Sequence, residues 1–380
     1  MWAVFSATKA DKQSIDQFEE GIMRRKFGVL PILLMAIMVL SVTACTTQAD
    51  FKSAEKAYDK NDYQTALRQL KVLADKGDVK GQLLLGSMYY EGQGTSQDYK
   101  EAIKWFRKVA EKGVPEAQRN LGWAYLDGKG VPKDTKTAFE WFRKSAEQGY
   151  AKAQDELGVM YSNGEGVPQD ITEATKWFRK AAEQGNASGQ YNLGVQYQYG
   201  KGVTQDVKEA IRWYQMAAEQ GYALAQNRLG QLYGEGEGIP KDLKEAEKWY
   251  RKAAEQGDAG SQVNLGMMFR NGDGVLEDNK EAAKWFTKAA AQDSPEAMAN
   301  LAMLYAEGAG VSQNYSEAAK LFSAAVDKKF VPATCYLAQL YANGWGVPQD
   351  REKARKLCQE GYKAGEEFCK QIFDSNGLGN

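Results

Sequence analysis

The chain has 380 residues, enough for two ordinary domains or one extended repeat array, and its 38 Gly against 8 Pro suggest regular punctuation rather than disorder. With 49 basic and 50 acidic residues the formal charge is −1, so no whole-protein field favours nucleic acid or an anionic surface. There is no histidine, which removes the commonest general base, the Ser-His and Cys-His nucleophile pairs and the commonest zinc ligand. Hydrolytic chemistry is therefore disfavoured, and we expect no catalytic residue, metal, cofactor, nucleic acid or small-molecule substrate.

Residues 1–22 are polar and mixed in charge, and read as an upstream extension ahead of a native start at Met23. From Met23 the chain runs Met-Arg-Arg-Lys, then an almost wholly apolar stretch from Phe27 to Leu40, then Ser-Val-Thr-Ala-Cys ending at Cys45. These are the basic, apolar and small-residue parts of an export signal, and the 14-residue apolar run falls short of the ~20 residues a spanning helix needs. Val42-Thr43-Ala44-Cys45 resembles a bacterial lipobox, which implies signal removal over 23–44 and acylation of Cys45 as the new N-terminus. Thr46 after the cysteine, rather than Asp, implies sorting to the outer membrane, facing the periplasm or the cell surface. A linker spans 45–50.

Residues 51–77 hold Ala54, Tyr58, Asn61-Asp62-Tyr63 and Ala66, a pattern like a tetratricopeptide helix pair, and are expected to cap the array that begins at residue 78. Over 78–365 a period of 36 residues is explicit. Leu-Gly pairs end at Gly86, Gly122, Gly158, Gly194, Gly230 and Gly266, with Ala302 and Ala338 in the next two slots. Tryptophan keeps the same step from Trp105 to Trp285 and gives way to Leu321 and Leu357. A Gly-x-Gly recurs from Gly92/Gly94 to Gly344/Gly346. In the unit from Asp258, Leu265-Gly266 and Met268-Phe269 fall at helical spacing and form a helix A, which Gly272 and Gly274 end. Asp278 then caps a helix B, with Glu281 completing a capping box, as do Asp98/Glu101, Asp170/Glu173, Asp206/Glu209, Asp242/Glu245 and Asn314/Glu317. Helix B is expected to bury Ala282, Trp285, Phe286 and Ala289. Two such helices cannot bury their aromatic faces alone, so the units must share a core. Residues 366–380 start a ninth helix A and form a C-terminal cap and tail.

Leu-Gly-x-x-Tyr, Gly-x-Gly-Val, Asp-x-x-Glu-Ala and Trp-Phe-x-Lys-Ala-Ala-Glu-x-Gly resemble the Sel-one-like repeat (SLR) family, relatives of tetratricopeptide repeats, over eight copies. The resemblance implies an all-α fold, a right-handed α/α superhelical solenoid with helix A on the concave side, serving as a scaffold or adaptor for proteins. The alternative is an envelope enzyme or cell-wall, β-lactam-interacting protein of the cysteine-rich repeat type. Ser53-Ala-Glu-Lys56 matches that class's Ser-x-x-Lys, but no Ser-Asp-Asn or Lys-Thr-Gly accompanies it.

Binding residues are sought where helix A varies between units. One column reads Leu84, Asn120, Glu156, Asn192, Arg228, Asn264, Asn300, Tyr336; another holds Trp123 among Ser87, Val159, Val195, Gln231, Met267, Met303 and Gln339. The expected partner-binding residues are Asn120, Trp123, Asn192, Arg228, Asn264, Asn300 and Tyr336, because amides pair with a peptide backbone and aromatics anchor interfaces. The cysteines left after processing are Cys335, Cys358 and Cys369. Export permits a disulfide, with Cys358–Cys369 the first expectation and Cys335–Cys358 its rival.

If Cys45 carries the anchor, Cys45→Ser should release the protein from the membrane fraction. Unchanged partition and unchanged gel mobility would defeat the lipoprotein reading.

Overall fold

The computed structural model describes Gln48 and residues 50–378. The export segment and Cys45 lie outside the described residues. Among the described residues no helix is long and apolar enough to cross a membrane.

Every regular element among them is helical. Helices α1 (50–59) and α2 (Tyr63–Asp75) come first. Eight hairpins come next, each helix A then helix B. They are α3 (Val79–Glu91) and α4 (Tyr99–Ala110), α5 (Pro115–Asp127) and α6 (Thr135–Glu147), α7 (Ala151–Asn163) and α8 (Ile171–Glu183), α9 (Ala187–Tyr199) and α10 (Val207–Glu219). The rest are α11 (Ala223–Glu235) and α12 (Leu243–Glu255), α13 (Ala259–Asn271) and α14 (Asn279–Ala290), α15 (Pro295–Glu307) and α16 (Tyr315–Asp327), α17 (Val331–Asn343) and α18 (Arg351–Lys363). Helix α19 (Glu367–Ser375) closes the chain against α17 and α18. The fold is all-α, of the repeated-hairpin solenoid class. The described residues divide into two compact units, one ending at Gln148 and the other beginning at Gly149.

The two glycines of each Gly-x-Gly serve different ends. Gly272 takes a left-handed φ of 73° at the end of α13 and donates its N–H to Met268 O, closing the helix. Gly274 also has a positive φ, and a Cβ there would lie 2.6 Å from the Leu243 carbonyl at the start of α12. The second glycine thus lets the loop run against the preceding helix B.

The capping boxes form only by half, which corrects the sequence expectation. Asp278 accepts from the backbone N–H groups of Lys280 and Glu281, as an N-cap should. Its own N–H does not bond the Glu281 carboxylate but donates to Phe269 O at 2.8 Å, across the loop. Asp98, Asp170, Asp206, Asp242 and Asn314 bond the corresponding Tyr carbonyl in the same way. The released glutamates pair with a cation one turn on: Glu101 with Lys104, Glu173 with Lys176, Glu209 with Arg212, Glu245 with Lys248, Glu281 with Lys284 and Glu317 with Lys320.

Ala282, Trp285, Phe286 and Ala289 are buried as expected. Phe286 packs against Gly266 of its own hairpin, where a Cβ would come within 2.6 Å of the ring. The same contact joins Gly86 to Phe106, Gly122 to Phe142, Gly158 to Phe178, Gly194 to Tyr214 and Gly230 to Tyr250. Of the six helix B tryptophans four are buried, while Trp141 and Trp213 are partly exposed. A lysine three residues on lies over the ring of Trp105, Trp141, Trp177, Trp249 and Trp285, at 3.7 to 4.3 Å from its centroid. Met216 stands in that position beside Trp213.

A second device, not apparent from the repeat pattern alone, is a column of buried glutamines. Gln82, Gln118, Gln190, Gln226 and Gln262 of helix A each donate to a carbonyl near the end of the preceding helix B, at Ala74, Ala110, Ala182, Ala218 and Ala254. The Oε1 of Gln118, Gln154, Gln190, Gln226 and Gln262 accepts from the glutamine closing its own hairpin, such as Gln256 to Gln226 at 2.7 Å. Each amide thereby satisfies helix-end groups that burial would otherwise leave unpaired.

Introducing a methyl by Gly266→Ala should cost ~1–3 kcal/mol in urea unfolding, because the ring of Phe286 has to move. Combined with Phe286→Leu the loss should be less than additive. Strict additivity would show that the two residues do not press on one another.

Candidate functional site

In the N-terminal unit α3, α4 and α5 enclose a pocket of about 220 Å³ lined by Ser87, Tyr90, Glu91, Phe106, Arg119, Asn120, Trp123 and Asp127. Helical spacing creates it. Asn120 and Trp123 are three residues apart on α5, so they share a face, and Ser87 holds the Trp123 register one repeat earlier. The serine leaves the space that the indole overlooks. Trp123 is partly exposed and meets Phe142 edge-on, with centroids 5.7 Å apart. Tyr90 packs edge-on against Tyr99 at 4.9 Å. Burial pushes the Tyr90 phenol above its ordinary pKa, opposed by nearby Lys129. Asp127 is held by Lys129 at 3.1 Å, while Glu91 forms no ion pair among the described residues. The Asn120 amide has no hydrogen-bond partner among them and is available to a ligand.

The C-terminal unit treats the other expected residues differently. Asn192 donates to Asp155 at 2.8 Å. Arg228 is the centre of a network: Nε donates to Gln198 at 2.9 Å, one Nη to Gln231 at 2.6 Å and the other to the Tyr199 hydroxyl at 2.7 Å. Gln198 also accepts from the buried Tyr214 hydroxyl at 2.9 Å and donates to Glu237 at 3.1 Å. Burial raises the Tyr214 pKa, so it stays a donor. Asn264 has no hydrogen-bond partner among the described residues. Asn300 donates to the Glu296 carbonyl of its own helix at 3.0 Å, and Tyr336 is packed between Phe322 and Phe368. The structure thus brings Asn120 and Trp123 into one pocket and leaves Asn264 open. It engages Asn192, Arg228 and Asn300 internally, and makes Tyr336 a packing residue. Tyr90, Glu91 and Phe106 were missed, because their columns read as helix end and framework. Among the described residues no group of three or more Cys, Asp and Glu could hold a metal ion.

The Sel1 repeat model matches eight consecutive segments: 79–114, 115–150, 151–186, 187–222, 223–258, 259–294, 295–330 and 331–366. The chain belongs to the Sel1 repeat family. Members of this family generally act as protein-interaction scaffolds and typically bind protein partners. Among solved structures, a protective antigen of uropathogenic Escherichia coli strains with an SLR fold is 37% identical at a TM-score of 0.70, over 81% of this chain and 67% of that one. A Sel1 repeat protein from Oxalobacter formigenes is also 37% identical, with a TM-score of 0.61, over 64% of this chain and 99% of that one. No curated protein matches the chain.

The last two Sel1 repeats depart from the others; Cys335 and Cys358 lie in the eighth, and Cys369 follows it in α19. Cys335 is bonded to Cys369, with Cα atoms 4.7 Å apart, and Cys358 is a free buried thiol. Both expected pairings, Cys358–Cys369 and Cys335–Cys358, are corrected. Cys358 holds the aromatic register of its repeat and is buried in the same apolar cluster as Ala338, the register of Gly266. Cys369 instead faces Cys335, because α19 packs on both α17 and α18. Gly361 makes room: a Cβ there would lie 2.1 Å from the Cys369 sulfur. That glycine, in a column otherwise filled by Val109, Ser145 and alanines, was the available sequence signal.

Burial pushes the Cys358 thiol up to about 11, so at pH 8 only about one molecule in a thousand is thiolate. Non-reducing peptide mapping should link Cys335 to Cys369, and Cys358 should be alkylated rapidly only after denaturation. Reduction should cost roughly 3–4 kcal/mol for a 34-residue separation. Rapid native labelling of Cys358 at pH 8, or a peptide linking it to either neighbour, would overturn this arrangement.

Proposed function

We propose that this Sel1 repeat protein is a non-catalytic scaffold, tethered to the bacterial envelope through Cys45 at the outer membrane. It holds a protein partner, an envelope component or a host protein, on its helix A face. The observation that carries the reading is the pocket of the N-terminal unit. There a partly exposed indole stands on ordered helices beside an amide and a carboxylate that, among the described residues, have no hydrogen-bond partner and no ion pair respectively. Interfaces draw most of their affinity from such aromatic anchors in preformed hollows. Family membership supports a protein as ligand. The description of the Escherichia coli relative as a protective antigen supports a position that extracellular molecules reach.

The enzymatic alternative draws nothing from Ser53. Its hydroxyl is exposed and accepts from Gln69 at 3.3 Å, which is not the arrangement of an activated nucleophile.

A partner captured by the intact protein from envelope extracts should bind Trp123→Ala and Asn120→Ala each with a loss of more than ~1 kcal/mol. Asn300→Ala, whose amide is spent on its own helix, should bind like wild type. Equal affinity for all four proteins, with melting points unchanged, would move the site away from this pocket.

A further inference from the structure

A second surface of the N-terminal unit has a different chemistry. On the outer side of α4, Lys100, Lys104, Arg107, Lys108 and Glu111 rim an open groove of about 410 Å³, with Ile103, Gly130 and Val131 completing its lining. The four cations are exposed, whereas Ile103 is buried beneath them. Three of the four are held in place. Lys104 pairs with Glu101 at 3.0 Å, Arg107 donates to the Tyr125 hydroxyl at 3.0 Å, and Lys108 lies 4.3 Å from the centroid of Trp105. Counting Glu101 and Glu111 against the four cations, the groove keeps an excess of positive charge.

We propose that this groove binds the phosphate of anionic phospholipid headgroups and lays the first Sel1 repeat against a membrane surface. Repetition does not explain it, because no other repeat reproduces the set. The second has Glu140 in the Lys104 register, where it pairs with Arg143; the third has Thr172 and Thr175; the fourth has Gln215 and Met216. The fifth keeps all four cations, but Glu247 replaces Ile103 and bonds Arg251 at 2.6 Å. The sixth has Thr287, the seventh Ser316 and Ser323, and the eighth Glu352 and Glu360. The first repeat therefore alone joins four cations to an apolar floor.

Position favours a lipid as the source of the phosphate. Cys45 lies five residues before α1 in the sequence, so a membrane-held N-terminus keeps the first repeat near the headgroups. The membrane setting rests on the anchor reading, but the binding chemistry does not. Each cation near an anionic leaflet contributes about fivefold in affinity and is screened by salt.

The test uses the full chain with Cys45→Ser, so that anchor and groove fail separately. Co-sedimentation is measured with vesicles of phosphatidylcholine alone and of phosphatidylcholine mixed equally with phosphatidylglycerol. Binding to the anionic vesicles only is expected. Lys100→Gln, whose side chain forms no hydrogen bond or ion pair among the described residues, should weaken it about fivefold. The set Lys100→Gln, Lys104→Gln, Arg107→Gln and Lys108→Gln should weaken it at least about tenfold with an unchanged melting point. The matched set Lys244→Gln, Lys248→Gln, Arg251→Gln and Lys252→Gln should bind like the parent. No binding to anionic vesicles, equal loss in both sets, or no loss with Lys100→Gln would overturn the proposal. Displacement by inorganic phosphate at matched phosphate concentration would assign the groove to a free anion. Tighter binding of polyglutamate than of vesicles would assign it to an acidic protein. Either result would also overturn the lipid assignment.

Discussion

The contact on which the repeats depend is the aromatic ring of helix B pressed against the glycine of helix A. At Gly266 and Phe286 there is no space for even one methyl group, so the two helices approach as closely as a backbone and a ring allow. Packing at crystal-like density then fixes the hairpin as a unit, since neither partner can change size without the other moving. The neighbouring alanines of helix B, among them Ala282 and Ala289, are fully buried for the same reason. Once this distance is set, the left-handed glycines, the half-formed caps and the tyrosine carbonyls that receive the N-cap N–H serve to turn the chain in a short loop.

Where that contact changes, the rest changes with it. Ala302 and Ala338 replace the glycine in the last two repeats, and Cys358 replaces the ring in the eighth. The glutamine column also lapses there, with Met298 and Thr334 in its register. A continuous apolar cluster running from Met298 through Phe322 and Leu337 to Ile372 takes over, closed by α19 and by the Cys335–Cys369 bond. The end of the array is thus stabilised by one larger core and a covalent link, where the inner repeats use ring-on-glycine contacts and amide bridges. A terminal repeat has no following neighbour to bury its face, so it needs such a substitute.

The proposed binding role rests on what this framework leaves uncommitted. Positions bearing the ring, the glycine, the small residues and the glutamine are spent on packing in nearly every repeat. The variable helix A columns are not, and they hold both the pocket beside Trp123 and the Arg228 network. The two differ in a way that matters for binding. Arg228 has donors directed to Gln198, Gln231 and Tyr199, so an incoming ligand would have to displace existing bonds. Asn120 has no such partner among the described residues, and the space over Ser87 is already open. Preorganised vacancy rather than residue type separates a docking position from a structural one.

The sequence by itself determined the period, the helix ends, the burial of Trp285 and Phe286 and the all-α repeat class, because each comes from local rules. Left-handed glycines end helices, aspartates begin them, and apolar residues at helical spacing mark a buried face. It also isolated the columns that contain Asn120 and Trp123. Only the tertiary structure decided what those columns do. Asn192, Arg228 and Asn300 looked equivalent to Asn120, yet Asn192 and Arg228 bond side chains one turn or one repeat away, and Asn300 bonds a carbonyl of its own helix. The glutamine column was in plain view at 36-residue spacing, but its meaning required knowing that a helix A side chain reaches the last carbonyls of the preceding helix B. The cysteine pairing likewise turned on how α19 lies across α17 and α18. Local sequence sets which faces are apolar and where helices stop. Which polar atoms meet is settled by interhelical distances of a few ångströms, and these emerge only when the rings and glycines have packed.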